Sequence, residues 1–85
     1  MLLYYVYIIQ SLKTKKLYIG QTNDMVRRVG DHNAGQGGKY TRHKGPWTLL
    51  YSESCPDRSS AVKRERYLKS TKGSQEKKKL AGILE

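Results

Sequence analysis

Five residues of this sequence have side chains that together suit one kind of chemistry. They are two phenols, a cation, an imidazole and a carboxylate: Tyr7, Tyr18, Arg28, His32 and Glu65. The carboxylate of such a set can hold a divalent cation through oxygen, and the guanidinium can face a phosphate. A phenol or an imidazole can move a proton. The set therefore favours metal-assisted phosphodiester chemistry.

Arg28 and His32 lie on a helix predicted over residues 24–34, between candidate N-cap residues and Gly35. Residues four apart on a helix share a face, and the apolar residues of this helix lie on the same face. We therefore expect Arg28 and His32 to reach one site, and Arg27 to point to solvent.

Glu65 lies between apolar positions of a second predicted helix, which ends near Ser70. A buried, unpaired carboxylate costs several kcal/mol or becomes protonated, so Glu65 needs a partner. The pattern leaves two alternatives equally open. Glu65 and Arg28 form a structural ion pair, or Glu65 holds a cation while Arg28 faces a phosphate. Mg²⁺ tolerates a single protein carboxylate because waters and a substrate phosphate complete its coordination.

Tyr7 and Tyr18 lie in the middle of two predicted adjacent strands, where their hydroxyls can share a face. A phenol has a pKa near 10, and a nearby arginine or metal can lower it toward the range of a base. From the strand pattern alone a structural role is favoured for both tyrosines. Gly20 is expected to let the chain turn into the first helix.

The predicted fold is α+β, with a small, three-stranded, largely antiparallel sheet flanked by three helices in one domain over residues 1–85. The first two strands form an antiparallel hairpin, and the position of the third is left open. In chain order, the predicted elements are strands at 4–10 and 16–20, a helix at 24–34, a strand at 47–54, a helix ending near 70 and a helix at 74–84.

The net charge of +10, from 17 basic and 7 acidic residues, favours a polyanionic partner. Nucleic acid is preferred over a membrane surface, because the basic helices lack a wide apolar face. The residues predicted to contact nucleic acid are Lys39, Arg42, Lys44, Arg64, Lys69 and Lys72.

Two further features bear on location. No run of about 18 apolar residues is present, so a membrane span is not expected. Cys55 is the single cysteine, which excludes an internal disulfide and is typical of a reducing compartment. The expected location is therefore the cytoplasm.

Several short motifs follow one another in a characteristic order. The runs Tyr5-Val6-Tyr7 and Tyr18-Ile19-Gly20 come first. Tyr18, which begins the second run, lies eleven residues after Tyr7, which ends the first. An arginine-bearing helix, a loop with Lys39 to Arg42 and Pro46-Trp47, and a helix over residues 61–69 with Glu65 at its centre follow. This ordered set resembles the GIY-YIG nuclease superfamily, and more narrowly its small stand-alone bacterial members.

The resemblance implies an endonuclease that hydrolyses phosphodiester bonds with Mg²⁺ or Mn²⁺ bound by Glu65. Arg28 would stabilise the transition state, and Tyr7 or Tyr18 would help to activate water, with His32 relaying a proton or orienting a tyrosine. The implied substrate is branched, nicked or single-stranded DNA, as in DNA repair, and RNA is the open alternative.

The sequence differs from the family pattern at two places. Tyr5 replaces the glycine of the first motif, and the asparagines, Asn23 and Asn33, both precede the region where active members carry a late asparagine. An alternative function therefore stays open, namely a nucleic-acid-binding module that is non-catalytic or depends on a protein partner for its target.

Overall fold

The alternation of side chains along the first strand decides where the helices lie. The computed structural model describes residues 3–38 and 41–82. Strand β1 (Tyr4–Ser11) is central, with β2 (Leu17–Thr22) on one side and β3 (Trp47–Cys55) on the other. Both pairings are antiparallel, which confirms the predicted hairpin and places the third strand beside the first.

The two faces of β1 carry two separate apolar clusters. Val6 and Ile8 face a cluster that includes Ala61 and Leu68 of helix α2 (Arg58–Lys69). Helix α3 (Ser74–Leu80) packs against α2. On the other face, Tyr7 and Ile9 pack with Trp47.

Helix α1 (Met25–Asn33) covers this second face, through side chains that include Met25 and Val29. The sheet therefore lies between α1 on one side and α2 with α3 on the other. This arrangement confirms the predicted α+β class with three strands and three helices.

Aspartates fix the starts of the first two helices. Asp24 accepts a hydrogen bond from the backbone N–H of Arg27 at 3.1 Å, and Asp57 accepts one from Ser60 at 2.8 Å. These bonds satisfy N–H groups that have no partner inside a helix. Asp24 and Asp57 are thus the N-caps of α1 and α2.

The boundaries differ from the prediction in modest ways. β2 continues to Thr22, and the last helix ends at Leu80, with its predicted end at residue 84 lying outside the described residues. Gly20 lies inside β2, opposite Tyr7, so the expectation that it turns the chain into α1 is wrong. Among the described residues, no helix has the length and apolar character needed to cross a membrane.

Arg64 connects three elements on the α2 side of the sheet. Its guanidinium donates to Glu53 of β3 at 2.9 Å and to Glu76 of α3 at 2.5 Å. Glu53 also accepts a hydrogen bond from the hydroxyl of Tyr51. These contacts engage the Arg64 guanidinium in packing between elements. Arg64 is therefore not part of the proposed nucleic-acid surface, although the sequence predicted such a contact.

Two glycines allow a matched test of this packing. A Cβ at Gly73 would overlap the backbone of Tyr67 at the α2–α3 junction, whereas a Cβ at Gly30 of α1 meets nothing within 4 Å. We expect Gly73→Ala to lower the free energy of unfolding by about 1–3 kcal/mol. Gly30→Ala should raise it by about 0.5–1 kcal/mol. Urea denaturation measures both, and a neutral Gly73→Ala would contradict the described junction.

Candidate active site

A hydrogen bond between two buried side chains lies at the centre of the site. The Tyr7 hydroxyl lies 2.9 Å from Nε2 of His32, and each residue is only 1% exposed. Tyr7 comes from β1 and His32 from the sheet-facing side of α1. The strand and the helix therefore bring a phenol and an imidazole together, as the sequence predicts.

A threonine fixes the direction of this hydrogen bond. Oγ1 of Thr41 lies 2.9 Å from Nδ1 of His32 and donates to the carbonyl oxygen of Gly38. Because the hydroxyl has one proton, we assign Nδ1 as the protonated nitrogen, which donates to Thr41. Nε2 is then free to accept the proton of the Tyr7 hydroxyl.

Two glycines make room for this chain of side chains. A Cβ at Gly20 would collide with the ring and hydroxyl of Tyr7, which cross directly over β2. A Cβ at Gly37 would collide with the imidazole of His32. Gly20 is thus needed for the position of Tyr7, and Gly37 lets the loop after α1 close over His32.

Burial sets the protonation states of both groups. Loss of water raises the pKa of Tyr7 to about 12, although the neighbouring Arg28 acts to lower it. Burial, with Arg28 in second place, lowers the pKa of His32, against a smaller opposite effect of Asp31. An arginine near Tyr7 is therefore present as anticipated, but burial outweighs it. At neutral pH both side chains are uncharged.

Arg28 lies between the buried pair Tyr7 and His32 and the surface of the protein. Its guanidinium donates through Nη2 to the carbonyl oxygen of Gly37 at 2.8 Å and lies near enough to the Tyr7 hydroxyl to act on its pKa. Since arginine only donates, any hydrogen bond between the two would leave the Tyr7 proton for His32. Arg27 has a 79% exposed side chain, which confirms that it points to solvent.

Tyr18 lies on the same face as Tyr7. Its ring centroid is 5.1 Å from that of His32 and 6.4 Å from that of Trp47. The ammonium of Lys69 lies 5.7 Å from the Tyr18 ring centroid, within the range of a cation–π interaction. Tyr18 is only partly buried, so its hydroxyl is nearer to solvent than that of Tyr7.

Glu65 has a different partner from the one anticipated. Its Oε2 lies 2.6 Å from Nζ of Lys69, one helical turn away, and its side chain is 20% exposed. The structural ion pair with Arg28, one of the two alternatives left open by the sequence, is not among the ion pairs of the described residues. Glu65 is nevertheless close enough to Tyr7 to raise the pKa of its hydroxyl. The carboxylate thus borders the same site.

The donor set around Glu65 fits a hard divalent cation. Residues 3–38 and 41–82 hold no cluster of three or more histidine, cysteine or acidic side chains. A cation at Glu65 would therefore take one protein carboxylate, and Mg²⁺ accepts such a site because it retains several waters. The oxygen ligand and its partial exposure meet that requirement.

The surface beside Arg28 contains basic residues that were not among the predicted nucleic-acid contacts. A polar cleft of about 260 Å³ is lined by Arg27, Arg28 and Arg58, together with Asp24 and Asp31. Asp24 is engaged as the N-cap of α1, and Asp31 lies 4.0 Å from Arg27. Arg58 belongs to the first turn of α2, so no periodicity of one helix could have joined it to Arg28.

The predicted nucleic-acid contacts lie in different places. Arg42 is exposed and borders an open depression beside His32, and Lys44 is partly buried in the same loop. Lys72 is exposed between α2 and α3, whereas Lys69 pairs with Glu65. Lys39 lies outside the described residues.

The sequence also missed the residues that hold His32. Thr41 is 1% exposed despite its place in a polar, basic run, and Gly37 contacts the imidazole from the loop. Asn33 hydrogen bonds to the backbone of Trp47 and so ties α1 to the start of β3. Only the glycine-rich composition of the loop hinted at such close packing.

Known proteins similar to this chain include several named UPF0213. One from Haloquadratum walsbyi is 46% identical over 67 residues, covering 79% of this chain and 74% of that protein. One from Halobacterium salinarum is 43% identical, covering 79% and 86%. The solution NMR structure of a UPF0213 protein from Bacillus halodurans is 34% identical, with a TM-score of 0.54 and coverage of 92% and 84%.

The family model described as the GIY-YIG catalytic domain matches residues 3–79. The matched residues include the five site residues, so the match spans the whole site. They are Tyr7, Tyr18, Arg28, His32 and Glu65. GIY-YIG domains form a nuclease superfamily whose members generally use divalent metals. This chain therefore belongs to the GIY-YIG family and, within it, groups with the UPF0213 proteins.

Proposed function

We propose that this chain is an endonuclease that hydrolyses phosphodiester bonds in DNA with Mg²⁺ or Mn²⁺ at Glu65. The observation that supports this most strongly is the directed chain from the Tyr7 hydroxyl through His32 to Thr41. It gives a proton a defined acceptor next to a guanidinium and a carboxylate. Branched, nicked and single-stranded DNA are the first substrates to test, with RNA beside them.

Tyr7 passes a proton on rather than acting as a free base. With a pKa of about 12, it is a neutral phenol at neutral pH. As the oxygen of water bonds to phosphorus and the bond from phosphorus to the 3′ oxygen breaks, a water proton moves to the Tyr7 oxygen and the Tyr7 proton moves to Nε2 of His32. Because His32 is neutral, it can accept that proton. The resulting imidazolium stays hydrogen bonded to Thr41.

Arg28 links substrate binding to this proton transfer. In the free protein its guanidinium lies near enough to the buried Tyr7 hydroxyl to act on its pKa. A phosphate at the site draws the guanidinium toward its own oxygens, since charged, bidentate contacts of this kind are strong. That movement uncovers the Tyr7 hydroxyl to water and places positive charge where the phosphorane develops its negative charge.

Glu65 supplies the oxygen ligand on the other side of the site. Glu65 would hold a divalent cation, which would supply positive charge to neutralise the phosphate and the leaving 3′ oxygen. The remaining substrate contacts come from basic residues on the surface around the site. Arg27 and Arg58 extend the basic surface from Arg28, and Arg42, Lys44 and Lys72 serve as more distant phosphate contacts, as Lys39 does by prediction.

Replacing Glu65 tests the metal site directly. We expect Glu65→Gln to abolish cleavage of plasmid and branched oligonucleotides in Mg²⁺ or Mn²⁺, because the amide cannot replace the carboxylate as a cation ligand. EDTA should abolish cleavage by the wild type. Glu76→Gln removes the same charge from α3 and should retain cleavage. Binding of DNA by Glu65→Gln should persist, as fluorescence anisotropy would measure.

Two results would contradict this proposal. Cutting that survives EDTA or Glu65→Gln would remove the metal from the mechanism. Well-folded wild-type protein that binds DNA yet cuts none of the substrates would favour the binding module without catalysis. Activity recovered only with cell extract would favour dependence on a protein partner.

Removing one oxygen tests the proton path. Tyr7→Phe deletes only the hydroxyl that faces His32, so we expect the single-turnover cleavage rate to fall by roughly 10²- to 10⁴-fold. His32→Gln should cause a similar loss, since its amide cannot accept the proton. Tyr67→Phe, at a tyrosine that is 41% exposed on α2, is the control and should cut normally. A Tyr7→Phe variant with full activity would rule out the relay.

A further inference from the structure

Lys69 forms an ion pair with Glu65, the carboxylate that the proposed function assigns to a cation. Its ammonium lies 2.6 Å from Oε2 of Glu65 and 5.7 Å from the centroid of the Tyr18 ring. The ammonium therefore contacts a candidate metal ligand and a candidate catalytic tyrosine at once. It holds one positive charge where a divalent cation would bring two.

An ammonium and a divalent cation cannot share this position without repulsion. Like charges a few ångströms apart repel strongly where solvent is partly excluded, and the Glu65 side chain is only 20% exposed. The Lys69 side chain is 48% exposed and has a long, flexible stem, so it is the group free to move.

A groove on the surface offers the displaced ammonium a place to bind. It has a volume of about 330 Å³ and is lined by Leu17, Tyr18, Ile19, Lys69 and Lys77. Lys77 of α3 and Lys69 of α2 thus face one groove from two helices. Two ammonium groups beside the partly buried ring of Tyr18 suit a phosphate of a nucleic-acid strand, because phosphate contacts from lysine carry much of nucleic-acid affinity.

We propose that Lys69 is an exchange residue. In the free protein it neutralises Glu65, and when a divalent cation binds it moves to a strand phosphate in the groove beside Lys77. This inference rests on the proposed function, since it takes Glu65 as the cation ligand. It couples the two binding events: the cation releases a phosphate contact, and the strand holds the ammonium away from the cation.

Binding of Mn²⁺ alone tests the exchange without any cleavage. Isothermal titration should show tighter Mn²⁺ binding by Lys69→Met than by wild type, by roughly two- to fivefold, the factor that corresponds to an exposed ion pair. Lys63→Met removes the same charge from an exposed position of α2 and should leave Mn²⁺ affinity close to the wild-type value.

A second measurement follows the displaced ammonium. With Ca²⁺ as an oxygen-liganded cation and a single-stranded oligonucleotide, the salt dependence of wild-type binding should steepen by about one phosphate contact relative to the metal-free protein. Lys69→Met should show no such change, whereas Lys63→Met should behave as wild type does.

The outcomes separate the two levels of the proposal. If Glu65→Gln binds Mn²⁺ as the wild type does, or the wild type binds none, the proposed metal site fails and the exchange fails with it. If Glu65 is required but Lys69→Met binds Mn²⁺ no more tightly than Lys63→Met, the exchange is wrong and the nuclease proposal stands. An unchanged salt dependence in the wild type would also overturn the transfer to phosphate.

Discussion

The need to satisfy two buried polar side chains shapes this small protein. Tyr7 and His32 are each 1% exposed, and an unpaired polar group at such a position costs about 1–3 kcal/mol. Each is therefore satisfied by the other, and the second ring nitrogen of His32 is satisfied by Thr41. Gly20 and Gly37 are needed because both close contacts exclude even a Cβ. A strand, a helix and a loop are held together by one polar chain.

The charged residues of the site depend on nearby compensation. Arg28 donates to the Gly37 carbonyl, in the loop just after its own helix, and Glu65 pairs with Lys69 one turn along α2. Each charge can therefore leave its partner without disturbing the sheet. In the proposed mechanism, a phosphate and a cation recruit Arg28 and Glu65 by replacing these contacts, while the Tyr7–His32 bond and the apolar clusters keep the scaffold fixed.

Local patterns predicted most of the fold and most members of the site. The alternation of Tyr7 and Ile9 against Val6 and Ile8, and the four-residue spacing of Arg28 and His32, each describe one element and follow from its geometry. The place of β3 beside β1 could not be predicted, because pairing across the long loop depends on the whole core.

The remaining site details depend on contacts that no single pattern contains. Glu65 was expected to have a partner distant in sequence, although Lys69 lies four residues away, at the spacing of a helical ion pair. Thr41 lies in a run of basic residues and gave no sign of burial. The effect of burial on Tyr7 could not be foreseen either, since the loss of water on packing raises its pKa by more than Arg28 lowers it.

The direction of the hydrogen bond between Tyr7 and His32 is the central claim, and NMR of the histidine ring nitrogens tests it most directly. Long-range ¹H–¹⁵N spectra of the free protein should show Nδ1 of His32 protonated and Nε2 bare at neutral pH. On acidification, the ring should take up a proton only below the usual His pKa of about 6.5. A protonated Nε2, or an imidazolium already present at neutral pH, would contradict the proton path described here.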